Sequence, residues 1–290
     1  KGADVKRIPD FQAESKKYRF MPKKRWDQMR SAGIKVGVFF PPFLGWLNLR
    51  VNYRNHRKIV VVDGNTGFVG GFNIGREYIS RDPKFGYWRD THLEIKGEAA
   101  ISLQIRFALD WNYVTGENLF KEIRYFGEEA EYARRWLNGQ IHAVWPDPEH
   151  VSEMVCMQII TSGPDTREPH IRNNYLELFH KAKHHIYIQT PYFIPDDAIF
   201  SSLKIAALSG VDVRLMIPCK PDHPFVYWAT CSYAGELLDY GARVYVYENG
   251  FLHSKGIMID GRVSCYGTAN MDIRSFVLCT GEITAVRQEI

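Results

Sequence analysis

The sequence predicts an α/β protein built as two lobes related by a pseudo-twofold axis, each a mixed β-sheet flanked by helices. Two observations carry this. The chain repeats itself at long range, and strand-like and helix-like stretches alternate within each copy.

The repeat sets out the elements in order. KGADVKRIPD (1–10) matches SGVDVRLMIP (209–218), a small turn followed by a strand ending at proline. SAGIKVGVFF (31–40) lines up with the end of LLDYGARVYVY (237–247): a helix end, a glycine at its C-terminal cap, then an alternating strand. HRKIVVVDGNTGFVGGFN (56–73) matches HSKGIMIDGRVSCYGTAN (253–270) without a gap. In both, β-branched residues run to Asp-Gly and a second strand follows, the pattern of a hairpin. DTHLEIKG (90–97) and EITAVRQE (282–289) read as the next strand of each copy. The first copy then continues into an amphipathic helix with Leu103, Phe107 and Trp111 on one face.

The second copy has additional elements before Ser209. They read as a strand (Val155–Thr161), a helix (Ile171–His184), a strand (Ile186–Tyr192) and a helix (Asp196–Leu208). The first copy has no counterpart of these, and the second has none of the closing helix, so a fragment that is unstable alone is expected. The lobes divide within a polar stretch, residues 138–152, that holds Pro146 and Pro148, giving lobes 1–142 and 143–290.

Composition narrows the class. With 45% apolar and 24% charged residues over 290 positions, the chain is globular and not disordered. A net charge of +4 permits anionic partners without choosing among them. Cys156, Cys219, Cys231, Cys265 and Cys279 are odd in number and never spaced Cys-x-x-Cys, which predicts reduced thiols and neither a disulfide framework nor a zinc site. The most apolar stretch, Ile34–Leu49, is interrupted by Pro41 and Pro42 and is too short to span a bilayer.

The chemistry lies in the hairpins. Each carries His-x-Lys, an Asp five residues after the Lys, then Gly and Asn at fixed offsets: His56, Lys58, Asp63, Gly70 and Asn73, and again His253, Lys255, Asp260, Gly267 and Asn270. Residues two apart on a strand share a face, so each His and Lys point the same way. An imidazole that can attack or protonate, beside a fixed ammonium, suits phosphoryl chemistry. Asn73 and Asn270 can donate amide hydrogens to the same phosphate oxygens. One such pair on a strand is usually an exposed face; five residues repeated at identical offsets are a site. Symmetry would then put one His on each side of an in-line displacement. Asp63 and Asp260 stand before glycine and suit turn formation at least as well as catalysis.

HxKxxxxDxxxxxxGxxN, present twice, resembles the phospholipase D superfamily signature. NYRNHRKIVVVDG, GGFNIGREY, YWRDTHLEIKG, TPYFIPDDAI and FLHSKGIMIDG…GTANMDIRSF are similar to bacterial cardiolipin synthases, and the resemblance covers almost the whole chain. It implies two phospholipase D-like lobes with the active site between them. It also implies transfer of a phosphatidyl group between two phosphatidylglycerol molecules, with His56 as nucleophile and His253 as acid and base. The expected partners are phosphatidylglycerol and an anionic membrane surface, with no nucleic acid. The expected location is the bacterial cell membrane, with membrane segments upstream. A hydrolytic phospholipase D, a nucleic-acid phosphodiesterase and a non-catalytic lipid-binding module are the alternatives. The chain departs from the family once: LCTGE (278–282) stands where Leu-Asn-Phe-Glu usually follows GTANMDIRSF.

Asp90 and His92 share one strand face, aligned with Glu282; Asp90 and Glu282 are candidates to orient a catalytic group from behind. His184 and His185, beside Lys181 and Lys183, read as a helix cap. His223, in PDHP, is a loop histidine without a partner in sequence. No cluster has metal-ligand spacing and two lysines already offset phosphate charge, so no metal or other cofactor is expected. Finally, Phe43, Leu44, Trp46, Leu47 and Leu49 form an apolar insertion just before His56, expected at the mouth of the site to guide acyl chains.

Overall fold

The computed structural model describes residues 23–38, 55–122, 125–126, 155–163, 166–277 and 281–287. The first expected strand (1–10), the apolar insertion (41–54) and the lobe boundary (138–152) lie outside the described residues.

The first half opens with helix α1 (Lys23–Ser31). Gly33, at φ +83°, ends it in the left-handed conformation, with Gly33 N–H donating to Arg30 O and Ile34 N–H to Met29 O, as a glycine cap should. Residues 34–38, expected as a strand, do not form one. A strand needs a neighbour to take its backbone hydrogen bonds. The repeat counterpart of this stretch pairs with the strand matching residues 1–10, which lie outside the described residues.

Strands β1 (Ile59–Val62), β2 (Thr66–Gly70) and, after the short β3 (Trp88–Arg89), β4 (His92–Lys96) follow. They form an antiparallel sheet in the order β1-β2-β4. Helix α2 (Glu98–Thr115) covers it. Its buried stripe is Ala100, Ile101, Leu103, Gln104, Ile105 and Ala108. Leu103 is thus inside as expected, but Phe107 is exposed and stacks on Trp111 along the helix flank.

The second half is a seven-stranded mixed sheet. Its elements are β5 (Cys156–Ser162), α3 (His170–Lys181), β6 (His185–Gln189), β7 (Phe193–Ile194), α4 (Asp197–Leu208), β8 (Asp212–Pro218), α5 (Pro224–Leu238) and β9 (Arg243–Tyr247). Then come β10 (Phe251–Leu252), β11 (Gly256–Ile259), β12 (Val263–Gly267), β13 (Met271–Asp272), α6 (Ile273–Val277) and β14 (Gly281–Arg287). The strand order is β5-β14-β12-β11-β6-β8-β9, parallel across β6-β8-β9 and antiparallel elsewhere. Period-2 alternation places Ile186, Ile188, Val213, Leu215 and Ile217 in the core with Phe179, Ile199, Leu203 and Leu237 from the helices. Each such side chain contributes about 1.5–3 kcal/mol by burial.

Among the contacts that join the halves are a shared apolar cluster and a strand pairing. Val69, Ile95 and Leu103 of the first pack with Met157 and Ile159 of β5. The short strands β3 and β10, one from each half, pair in parallel, Phe251 opposite Trp88 and Leu252 opposite Arg89.

The two hairpin turns are alike. Asp63 and Asp260 adopt φ +53° and +52°, a left-handed conformation that aspartate tolerates better than most residues. Asp260 then accepts hydrogen bonds from the amides of Lys183, His184 and His185, each at 2.8 Å, and so fastens the turn to the start of β6. Burial opposes its charge, but these three donors outweigh burial and hold the carboxyl below its ordinary range. Asp260→Ala is therefore expected to lower unfolding free energy by about 1–3 kcal/mol, read from the denaturant midpoint, while the folded protein keeps its turnover.

Candidate active site

The short β3–β10 pairing brings the site together. His253 follows β10, and its amide donates to Arg89 O at 2.8 Å, continuing the ladder by one residue. Asp90, the next residue on the opposite chain, meets the imidazole: His253 Nδ1 lies 2.6 Å from Asp90 Oδ2. Both side chains are withdrawn from solvent, 12% and 0% exposed. Thr91 N–H donates to Asp90 Oδ1 at 2.8 Å, and Thr91 and Ser254 share a hydroxyl hydrogen bond across the two halves. Gly71 makes room: a Cβ there would come within 2.0 Å of Asp90 Oδ1.

Phe251, His253 and Lys255 stand two apart, and aromatic rings surround the imidazole. Trp88 lies tilted at 5.0 Å, Tyr78 edge-on at 5.7 Å and Phe251 tilted at 6.2 Å. Burial among them, and the nearby Lys255 charge, outweigh the pull of Asp90 and bring His253 down to about 4. For Asp90, burial opposes charge, but the His253 hydrogen bond and Lys255 prevail and its carboxyl sits below the usual value. At neutral pH the pair is therefore a carboxylate and a neutral imidazole. A carboxylate only accepts, so Nδ1 carries the hydrogen and Nε2 presents a lone pair.

The lysines repeat one geometry. Lys58 Nζ donates to His56 O at 2.7 Å and Lys255 Nζ to His253 O at 2.5 Å, so each motif bends its ammonium back on its own strand. Lys255 is buried, which lowers it to about 7 despite the opposing pull of Asp90. The charge of Lys58 acts on both His253 and Lys255, so the two motif copies lie near one another.

His56 and Lys58 are half-buried beside β1, and Arg57 between them points elsewhere. Its guanidinium grips Asp110 of α2 through both carboxylate oxygens, at 3.0 and 3.1 Å, and reaches Ser162 O of β5 at 3.3 Å. This ion pair, almost fully buried on the Arg57 side, fixes the strand that carries His56 and Lys58. Asn73 donates from Nδ2 to Tyr78 Oη at 2.5 Å, which links it to the ring that edges His253. Asn270 is buried; its amide bonds the Asp272 carboxyl, while its Oδ1 has no partner among the described residues. Asp272 is raised by burial, and its charge and that of Asp222 act on Lys255. Tyr192 hydrogen-bonds Asp222. His92 is not part of the Asp90–His253 pair: it stacks on Phe72 at 5.2 Å and burial lowers it.

The placement of the motif aspartates fits the turn reading better than the catalytic one, and the alignment of Asp90 with Glu282 changes. Asp63 and Asp260 stand at the turn end of their hairpins, with β1 and β11 between them and the histidines, and Asp260 is occupied by backbone amides. The alignment of Asp90 with Glu282 shifts by one residue. Gly70 pairs with His92 and its counterpart Gly267 pairs with Ile283, so Gly281 takes the position of Asp90 and Glu282 that of Thr91. A one-residue shift exchanges the strand face that a position occupies.

A family profile described as "Cardiolipin synthase, PLD-like domain" matches residues 175–289. The major cardiolipin synthase ClsA of Bacillus subtilis is 48% identical over 265 residues, 90% of this chain and 50% of its own. Cardiolipin synthase 2 of Staphylococcus epidermidis is 50% identical over 278 residues, 96% of this chain and 52% of its own. The chain belongs to the phospholipase D-like cardiolipin synthase family. It spans about half the length of the curated relatives it matches. The crystal structure of phosphatidylserine synthase from Haemophilus influenzae superposes with a TM-score of 0.56, covering 81% of this chain and 58% of its own at 14% identity, a likeness of fold.

Within this family member the missed residues are those that serve the motif from outside it. Phe251 was accessible by strand periodicity from His253 and Lys255. Trp88, Tyr78, Arg57, Asp110, Asp222 and Asp272 have no spacing rule to reveal them. Two measurements follow from the geometry. Since Lys255 titrates near 7, kcat/KM for a phosphodiester should decline as pH rises past about 7, where the cation is lost, and not near its ordinary value. Asp90→Asn, which can donate to Nδ1 and turn the imidazole to the wrong tautomer, should lower kcat by about 10²–10⁴-fold with little change in melting temperature.

Proposed function

We propose that the chain is the catalytic core of a cardiolipin synthase, transferring a phosphatidyl group between two phosphatidylglycerol molecules to give cardiolipin and glycerol. The observation that carries this is the convergence of the two motif copies, an Asp90-oriented His253 and two lysines under each other's influence, in a chain about half identical to cardiolipin synthases. The halves divide between residues 142 and 143 and each supplies one motif.

In the first step His56 attacks phosphorus of one phosphatidylglycerol. A nitrogen–phosphorus bond forms and the bond to the glycerol oxygen breaks; His253, which takes up a proton at Nε2 from solvent as the phosphodiester anion binds, gives that proton to the oxygen. In the second, a hydroxyl of another phosphatidylglycerol returns a proton to His253 and attacks phosphorus, and His56 leaves. Two in-line displacements retain configuration. Lys58 and Lys255 offset charge on the equatorial oxygens, and Asn73 and Asn270 donate to them. Asp63 and Asp260 hold the hairpins. The substrates are phospholipids and not nucleic acid, and the work is done at the bacterial cell membrane. Among the described residues no helix is long and apolar enough to cross it.

One observation favours the reverse division of labour. A neutral His253 whose Nδ1 hydrogen is bound by Asp90 is also a prepared nucleophile. Incubation with phosphate-labelled phosphatidylglycerol, followed by quenching in denaturant and analysis of products and of an acid-labile protein adduct, decides both questions. Cardiolipin is the expected product; phosphatidic acid alone would make the protein a hydrolase. Label should remain on His253→Ala and be absent from His56→Ala, and the opposite pattern would make His253 the nucleophile.

A further inference from the structure

A loop of the first half, residues 71–87, and the start of α5 in the second flank the site: Tyr78 edges the His253 ring, and Asp222, just before α5, acts on Tyr78. Both present apolar side chains to solvent. Ile74, next to Asn73, is 92% exposed, and Ile79 and Tyr87 of the same loop are also exposed. At the start of α5, Phe225 and Trp228 are 80% and 63% exposed and pack edge to face on each other at 5.5 Å.

These five side chains stand on two segments, together the rim, that meet beside His253. Tyr87 O accepts from Phe251 N–H at 2.8 Å, Cys219 Sγ donates to the neighbouring Gly250 O, and Tyr227 Oη donates to Cys219 O at 3.3 Å. That line runs from Tyr87 to the first turn of α5. From the other end, Tyr78 lies edge-on to His253 and within the influence of Asp222, two residues before α5. Between residues 72 and 89 the chain also carries four exposed cations, Arg76, Arg81, Lys84 and Arg89, against two acids, Glu77 and Asp82, an excess of two.

Single exposed apolar residues are ordinary; five on two segments that flank a polar site are a surface built to meet something. Aromatic and aliphatic side chains beside cations match the layering of a lipid interface, where acyl chains lie beneath phosphates. A lipid phosphorus sits at head-group depth, so a cleft that acts on it must come flush with the bilayer. A second copy seated on the same rim would instead close the mouth. We propose that this rim docks the protein on an anionic phospholipid bilayer, with Ile74, Phe225 and Trp228 entering the interface and the loop cations meeting head-group phosphates. The inference rests on the phospholipid reading above.

Flotation of the full chain with phosphatidylglycerol vesicles, and with phosphatidylcholine vesicles at two salt concentrations, tests it. Wild type should float with the anionic vesicles, and less so as salt rises. The triple variant Ile74→Ser, Phe225→Ser, Trp228→Ser should lose about tenfold or more in vesicle affinity, while keeping its melting temperature and its turnover of soluble bis(p-nitrophenyl) phosphate. Ile74→Ser and Trp228→Ser, on different halves, should each weaken binding alone. Wild-type affinity in the single and triple variants would overturn the proposal. So would a change in mass by light scattering with vesicle binding intact, which would assign the rim to a second copy. Failure of the phospholipid reading looks different: wild type then leaves micellar phosphatidylglycerol unchanged, whatever the variants do to vesicle affinity.

Discussion

Asp90 and His253 stand 163 residues apart, on opposite halves of the chain, and meet at 2.6 Å with the carboxylate fully withdrawn from water and the imidazole nearly so. A carboxylate in such surroundings must be paired, because removing its partner leaves an uncompensated buried charge. The halves are therefore bound to one relative placement at this point. The neighbouring features serve that placement: the β3–β10 pairing, the Thr91–Ser254 contact, and two glycines without which the chains could not close. Gly71 leaves space for the carboxylate. Gly250, at φ +105°, lies where a Cβ would sit 1.9 Å from Tyr87 O.

The same placement sets the electrostatics. His253 is desolvated by Trp88, Tyr78 and Phe251, which drive it towards the neutral form, while Asp90 fixes which nitrogen keeps the hydrogen. Lys255 is buried and Lys58 is near enough to disfavour its charge, with Asp90, Asp272 and Asp222 opposing that effect. Two ammonium groups set against each other in this way favour an anion between them. A phosphodiester brings one negative charge to the point where it stabilises both lysines and raises the proton affinity of the imidazole.

Although the motifs match residue for residue, their supports differ. Behind His253 stand Asp90 and a ring cage. The first motif is held from its rear face by Arg57, gripping Asp110 and reaching across to β5, whereas the equivalent residue of the second motif, Ser254, bonds Thr91. At the register position equivalent to Asp90 the second half has Gly281. Among the described residues, two copies of one motif thus rest on different supports.

Much of this was legible beforehand. Strand periodicity, Asp-Gly turns and capping glycines are local, so the hairpins around His56 and His253, the α/β class and most second-half elements could be read from residues within a few positions of each other. The repeat marked the ten motif residues because two copies of one hairpin must keep the same side chains on the same face. What could not be read depends on contacts between distant segments. The ungapped repeat sets Glu282 opposite Asp90, but register is set by backbone pairing with β5 and β12. Phe107 looked buried by helical spacing, yet the stripe that packs is chosen by the sheet beneath α2. Arg57, Trp88, Tyr78 and Asp110 act across loops and between halves. The motif therefore announced the chemistry, while the charge state of His253 and Lys255 had to wait for the fold, because desolvation and pairing exist only once remote residues have closed around them.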